Sequence, residues 1–223
     1  MPRPDAIAFD VVETLFSLER LRPRLTDAGL QAHQLETWFA QMLRDAFALG
    51  ALNIYKPFRE VAESTLDVMM EQQGIEGRAE RIEAILSGFT ELDAEPDVRP
   101  AMQALTQAGV PIAAVTNGSK KVTRALIERN GLSDLVAHVI SVDEVGRWKP
   151  AAQVYHHAAA RIGVASERLA LVAAHGWDVQ GARSAGLITG YVARNGQPRG
   201  AVMAPADVEA ATLTEVVDRL LKA

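Results

Sequence analysis

The stretch Ala6-Ile7-Ala8-Phe9-Asp10-Val11-Val12-Glu13-Thr14-Leu15-Phe16 decides how this chain is read. Its first four residues form a short apolar run that stops at an acid, the pattern of a buried strand. Beyond Phe16 the rhythm changes. From about Ser17 to Glu95 the apolar residues recur at three- and four-residue spacing, as in Trp38, Met42, Leu43, Phe47 and again in Val61, Thr65, Leu66, Met69. That period predicts helices, with Gly29, Gly50, Gly74 and Gly77 as their ends. After Pro96 strands and helices alternate. The expected strands are Ile112–Val115, Val139–Ser141, Leu169–Ala174 and Thr189–Ala193. The expected helices are Val98–Gly109, Ser119–Asn130, Pro150–Ile162, Val179–Gly186 and Leu213–Leu221. Alternation of this kind predicts an α/β protein with a parallel sheet and crossover helices on both faces.

The first strand therefore belongs with residues 96–223, and residues 16–95 form an inserted all-helical cap subdomain. The core is expected to be residues 1–15 plus 96–223, a Rossmann-like doubly wound sheet. Composition sets outer limits. The chain has 223 residues, 48% of them hydrophobic, which fits a globular protein of one to two domains. It has no cysteine, which excludes disulfides, thiolate metal sites and a cysteine nucleophile. A formal charge of -5 argues against a nucleic-acid-binding surface. No apolar run approaches the ~20 residues of a membrane span, and no signal-peptide layout precedes Ala6. The expected setting is cytoplasmic.

In such sheets the ligand lies beyond the carboxyl ends of the strands. The polar residues expected there are Asp10 and Thr14, Thr116-Asn117-Gly118-Ser119, Lys149, and Asp178 after His175-Gly176-Trp177. Each has an ordinary alternative: a strand-terminal Asp caps turns and helices, and a lone Lys is usually a surface charge. Their order at one sheet edge is what points to chemistry.

That order, opening on Phe-Asp-x-x-x-Thr-Leu-Phe, resembles the haloacid dehalogenase superfamily over nearly the whole chain. The resemblance implies that Asp10 is the nucleophile, with Thr14 orienting it, Thr116 as the second-motif hydroxyl, Lys149 as the lysine and Asp178 as the last acid. Phosphatases of the superfamily place a second Asp two residues after the nucleophile as general acid; here Val12 stands there. Ala182 and Arg183 occupy the places of a second magnesium-binding acid. The local detail is similar instead to the type II L-2-haloacid dehalogenase branch: Thr116-Asn117-Gly118, Tyr155 six residues after Lys149, Trp177-Asp178 followed by Gly181-Ala182-Arg183, and Leu35–Trp38 in the insert.

By that resemblance no cofactor or metal is needed. Asp10 attacks the halogen-bearing carbon of a small 2-haloalkanoic acid, halide leaves, and water activated near Asp178 hydrolyses the ester. Thr116, Asn117 and the backbone at Val11 and Val12 are expected to hold the substrate carboxylate or the oxyanion. Gly118, Phe58, Tyr155, Trp177 and His175 are expected at the substrate, and His175 stands where the branch has an amide. The branch's halide-binding arginine falls on Ala40, with Arg44 one helical turn further on; Arg44 is either its substitute or a solvated charge. A homodimer is expected by analogy. Two alternatives remain open: a phosphatase holding Mg²⁺ with Asp10, the Val12 carbonyl and Asp178, and a non-catalytic binding protein on the same fold.

Overall fold

The computed structural model describes residues 1–223. Strand β1 (Ala6–Phe9) lies inside a six-stranded sheet with β2 (Ile112–Thr116), β3 (His138–Ser141), β4 (Leu169–Ala173), β5 (Ile188–Val192) and β6 (Val208–Ala210), in the order β3-β2-β1-β4-β5-β6. Every pairing is parallel. β1, β2, β4 and β5 are buried along their whole length, and this is why they read as unbroken apolar runs and not as alternating ones.

The alternation in Ala-Ile-Ala-Phe still sorts two faces. Ile7 and Phe9 join the larger apolar cluster, shared with α5 (Val98–Gln107), α6 (Lys120–Arg129) and α9 (Leu213–Leu221). Ala6 and Ala8 join the smaller one, shared with α7 (Ala152–Ile162) and α8 (Gly176–Ser184). Between β1 and α5 come four further helices: α1 (Leu21–Asp27), α2 (Gln34–Ala51), α3 (Phe58–Gln72) and α4 (Arg78–Ser87). The segment leaves and returns through one stem. Phe16 bridges Ala94, Ser17 N–H donates to the Asp93 carbonyl at 3.0 Å, and Glu95 N–H to that of Leu15 at 2.9 Å. Its buried residues Trp38, Leu66 and Phe89 belong to the same cluster as Ile7 and Phe9, so the helices share the sheet's core.

The strand order reverses at β1: the chain builds β2 and β3 on one side, then crosses to β4 on the other. Phe9 stands in register with Ala114 and Val172. Asp10 therefore emerges at the switch point, where sheets of this type leave a crevice. Two details differ from expectation. β6 has only three residues with Glu209 exposed, too little for a periodic signal. α8 begins at Gly176, which places Asp178 in its first turn, where a carboxylate meets the positive end of the helix dipole. No helix is long and apolar enough to cross a membrane.

Gly190 in β5 is closely packed: a Cβ there would stand 2.8 Å from the Val216 side chain and 3.0 Å from that of Val172. Gly190→Ala is expected to lower unfolding free energy by about 1–3 kcal/mol through overpacking. Urea unfolding checks this, and an unchanged midpoint would show that α9 can yield.

Candidate active site

Lys149 is the centre of the crevice. Its side chain is fully buried, and its ammonium donates to Asp10 Oδ1 at 2.7 Å, Asp178 Oδ2 at 2.7 Å and the Val115 carbonyl at 3.1 Å. All three of its donors are thereby used. The Lys149 backbone N–H donates to Asn117 Oδ1 at 2.9 Å. Asn117, expected at the substrate, thus spends its carbonyl oxygen on holding the lysine's loop. Thr116 Oγ1 accepts the Gly118 N–H at 2.9 Å and closes the turn after β2.

Asp10 Oδ2 has two donors of its own, the Thr14 hydroxyl at 2.8 Å and His175 Nδ1 at 3.0 Å. Thr14 in turn accepts the Ala174 N–H at 2.9 Å. His175 Nε2 lies 2.9 Å from Glu13 Oε2. Both ring nitrogens face carboxylates, an arrangement satisfied by the doubly protonated ring. The ring stacks on Trp177 with centroids 5.1 Å apart, and Phe47 of α2 meets the same indole edge-on at 5.1 Å. The helical segment thereby closes over the sheet edge at Trp177.

Several charges here are displaced from their ordinary behaviour. Burial alone would raise Asp10, but the Lys149 ammonium and the His175 ring outweigh it and hold the carboxyl well below the usual range. Burial opposes charge on Lys149, yet Asp10 and Asp178 raise its affinity for the proton. Burial and the neighbouring Asp10 charge raise Asp178, against the pull of Lys149. His175 is disfavoured as a cation by burial, but its bonds to Asp10 and Glu13 prevail and push it up to about 10. Tyr155 is pushed well above its ordinary value by burial and by Asp178.

Of the residues singled out from sequence, Asp10, Thr14, Lys149, His175 and Asp178 converge. Val11, Val12, Phe58, Thr116 and Gly118 line one cavity beside them. Two expectations are corrected. Tyr155 does not face substrate: it is fully buried and donates its hydroxyl to Asp178 Oδ1 at 2.6 Å. Arg44 does not reach the crevice: it is exposed and paired with Asp45 at 2.8 Å. Ala40 and Arg44 do share a face, as their spacing requires, but Ala40 is itself exposed and that face looks outward. One residue was missed. Glu13, three residues after the strand-end acid, is a non-glycine held at φ 62°; such backbone clusters at functional sites, but no sequence pattern announces it.

Magnesium does not fit these side chains. Asp10 Oδ1 and Asp178 Oδ2 both turn to Lys149, Asp178 Oδ1 is taken by Tyr155, and Asp10 Oδ2 by Thr14 and His175. No three His, Asp or Glu side chains are grouped to hold a metal, whereas Mg²⁺ demands an octahedron of oxygens.

The His175 pairing also carries a stability signature. Its folded value near 10 exceeds the 6.5 of the free side chain. Its contribution is complete below about pH 6.5 and is lost as pH rises towards 10. The stability gap between the native chain and His175→Asn should therefore shrink from about pH 6 to about pH 10 in denaturant unfolding. A gap that stays constant or widens would remove the charged pairing.

The profile of the haloacid dehalogenase-like hydrolases matches residues 4–186. The chain is 27% identical over 219 residues to (S)-2-haloacid dehalogenase 1 of Pseudomonas sp. (strain CBS-3), covering 97% of this chain and 96% of that one. It is also 27% identical to haloacetate dehalogenase H-2 of Moraxella sp. (strain B), over 88% of each. Among solved structures, a dehalogenase in an intermediate complex superposes with a TM-score of 0.90 at 24% identity over 100% of both chains. The L-2-haloacid dehalogenase of Xanthobacter autotrophicus with chloropropionic acid covalently bound gives 0.87 at 22% identity over 99% of both. With a lysine held between two aspartates at the switch point of a parallel sheet, the chain belongs to the haloacid dehalogenase-like hydrolase family.

Proposed function

We propose that this protein hydrolyses the carbon–halogen bond of a small 2-haloalkanoic acid, without a metal, through an ester on Asp10. The observation that carries the reading is the state of Asp10: a buried carboxylate held ionised by Lys149, with Val12 where phosphoryl transfer would need a leaving-group acid. The named activities of the relatives agree with it.

The hydrogen bonds distinguish the two oxygens. Oδ2 accepts from Thr14 and His175, while Oδ1 accepts only from Lys149 and keeps a lone pair. Oδ1 is the attacking atom. It bonds to C2 of the substrate as the carbon–halogen bond breaks and halide leaves with the bonding pair. We put the substrate carboxylate at the polar rim of Thr116, Gly118 and Ser119, where the chain turns into α6.

We assign the second step's base to His175 and not, as expected from the sequence, to Asp178. It is fully buried and both its oxygens are engaged, so its work is to hold Lys149. His175 and Glu13 stand in the better place. Esterification removes the Asp10 charge, which is one of the two influences that keep the ring protonated. The ring then releases its Nδ1 proton to solvent through the polar cleft that His175 and Glu13 line, while Nε2–H stays on Glu13. Nδ1 takes a proton from water as its oxygen adds to Cγ. The Thr14 hydroxyl steadies the charge on Oδ2. Collapse breaks the Cγ–Oδ1 bond, and Oδ1 leaves in the 2-hydroxy acid with the proton from His175. The remaining water proton leaves Asp10 and returns the ring to its charged form.

Asp10→Asn is expected to abolish halide release from 2-chloropropionate. In heavy-oxygen water, a single turnover should place the label in Asp10 and leave the product unlabelled. His175→Gln should accumulate the ester, seen as a mass adduct on the peptide that carries Asp10. Label appearing directly in first-turnover product would overturn the two-step route.

A further inference from the structure

Over the two residues that follow Asp10 the structure holds a chamber of about 200 Å³, more than a substrate as small as chloropropionate fills. Its floor is Val11 and Val12, next to the nucleophile in sequence. Its far walls are apolar: Phe58 of α3, Leu86 of α4 and Phe89 on one side, Val122 and Leu126 of α6 on the other. Phe58 and Phe89 pack edge-on at 5.2 Å, and Phe58 stacks on Trp148 at 5.9 Å, so the aromatic wall is fixed by its neighbours. The charged groups on the lining are otherwise occupied. Arg59 pairs with Glu63 and Glu83, and Asp143 accepts the Tyr55 hydroxyl.

Protein interiors contain few voids larger than a water molecule, and an apolar cavity of about 150 Å³ takes up benzene. We infer that this chamber receives the substituent on C2 of the substrate, and that the preferred substrates are 2-halo acids bearing a butyl-sized or phenyl group there in place of hydrogen or methyl. The inference rests on the proposed dehalogenation and names its substrate class. With the carboxylate on the polar rim at Thr116, Gly118 and Ser119, C2 faces Asp10 and its substituent is left with the apolar walls. Each methylene buried is worth about fourfold in binding (~0.8 kcal/mol).

The test compares 2-chloropropionate, 2-chlorohexanoate and 2-chloro-2-phenylacetate as racemates, tracking halide release by the native chain, Val122→Phe and Leu86→Phe. These two variants fill the chamber from opposite walls, and thermal melts establish that each is folded. The native chain is expected to favour the larger acids by tens of fold in kcat/KM. Each variant should lose that advantage while keeping 2-chloropropionate within about twofold. Calorimetric binding of the unhalogenated hexanoate and propionate separates pocket from chemistry. Tighter hexanoate binding that the filling variants abolish supports the chamber even where no halide is released, a result that would sink the dehalogenation alone. Equal binding of the two acids, or a native preference for 2-chloropropionate, overturns the inference.

Discussion

Burying an ammonium between two carboxylates is the constraint on which the rest of this crevice depends. A charge taken out of water costs several kcal/mol unless it is paired and hydrogen-bonded. Lys149 meets that condition by placing one N–H on each of Asp10, Asp178 and the Val115 carbonyl. Three consequences are visible. The loop carrying Lys149 must be fixed, which Asn117 does through the lysine's own backbone N–H. Asp178 must be oriented, which Tyr155 does from below. Asp10 must present its second oxygen elsewhere, and it finds Thr14 and His175. Removing Lys149 would leave two buried carboxylates without their ammonium, a loss of about 3–5 kcal/mol in comparable sites.

Close approach is what allows Tyr155 to take part. A Cβ on Gly181 of α8 would stand 2.6 Å from the Tyr155 hydroxyl and 2.4 Å from the Pro150 side chain. The glycine lets α8 settle against α7 closely enough for the phenol to reach Asp178. The helix pair and the ion cluster are thus one piece of packing. The aromatic chain Phe47–Trp177–His175 performs the matching task from above, joining the helical segment to the ring that bonds Asp10.

The fold was legible because parallel buried strands leave unbroken apolar runs such as Leu169–Ala173, and the helices between them keep a clear period. The three-residue β6 was not legible, since it forms only by adding to an existing edge. The strand-end residues Asp10, Lys149 and Asp178 were legible through their order, because strand ends of one sheet are brought together by topology alone. Contacts that depend on backbone conformation or on the direction a helix face points were not. Glu13 reaches His175 from a left-handed residue that no propensity requires. Arg44 shows the converse: the spacing placed it on the face of Ala40, but only packing tells that this face is solvated.

The residues that follow Asp10 face two unlike spaces, and the difference matters to the proposed reaction in two halves. The first displacement needs a dry nucleophile, because a solvated carboxylate attacks carbon poorly and water competes for it. The second needs water and a group to deprotonate it. On one side of Asp10 its successors Val11 and Val12 face the apolar chamber. On the other, Glu13, His175 and Trp177 line a polar cleft of about 390 Å³. A protein that kept both halves in one space would have to alternate between excluding and admitting water. Here His175 lines the polar cleft and not the apolar chamber. While Asp10 is charged, the ring is held against its Oδ2; once the ester forms, the attraction that kept it there is spent. In the proposed reaction, the charge on Asp10 would thus decide when water from the polar side is activated.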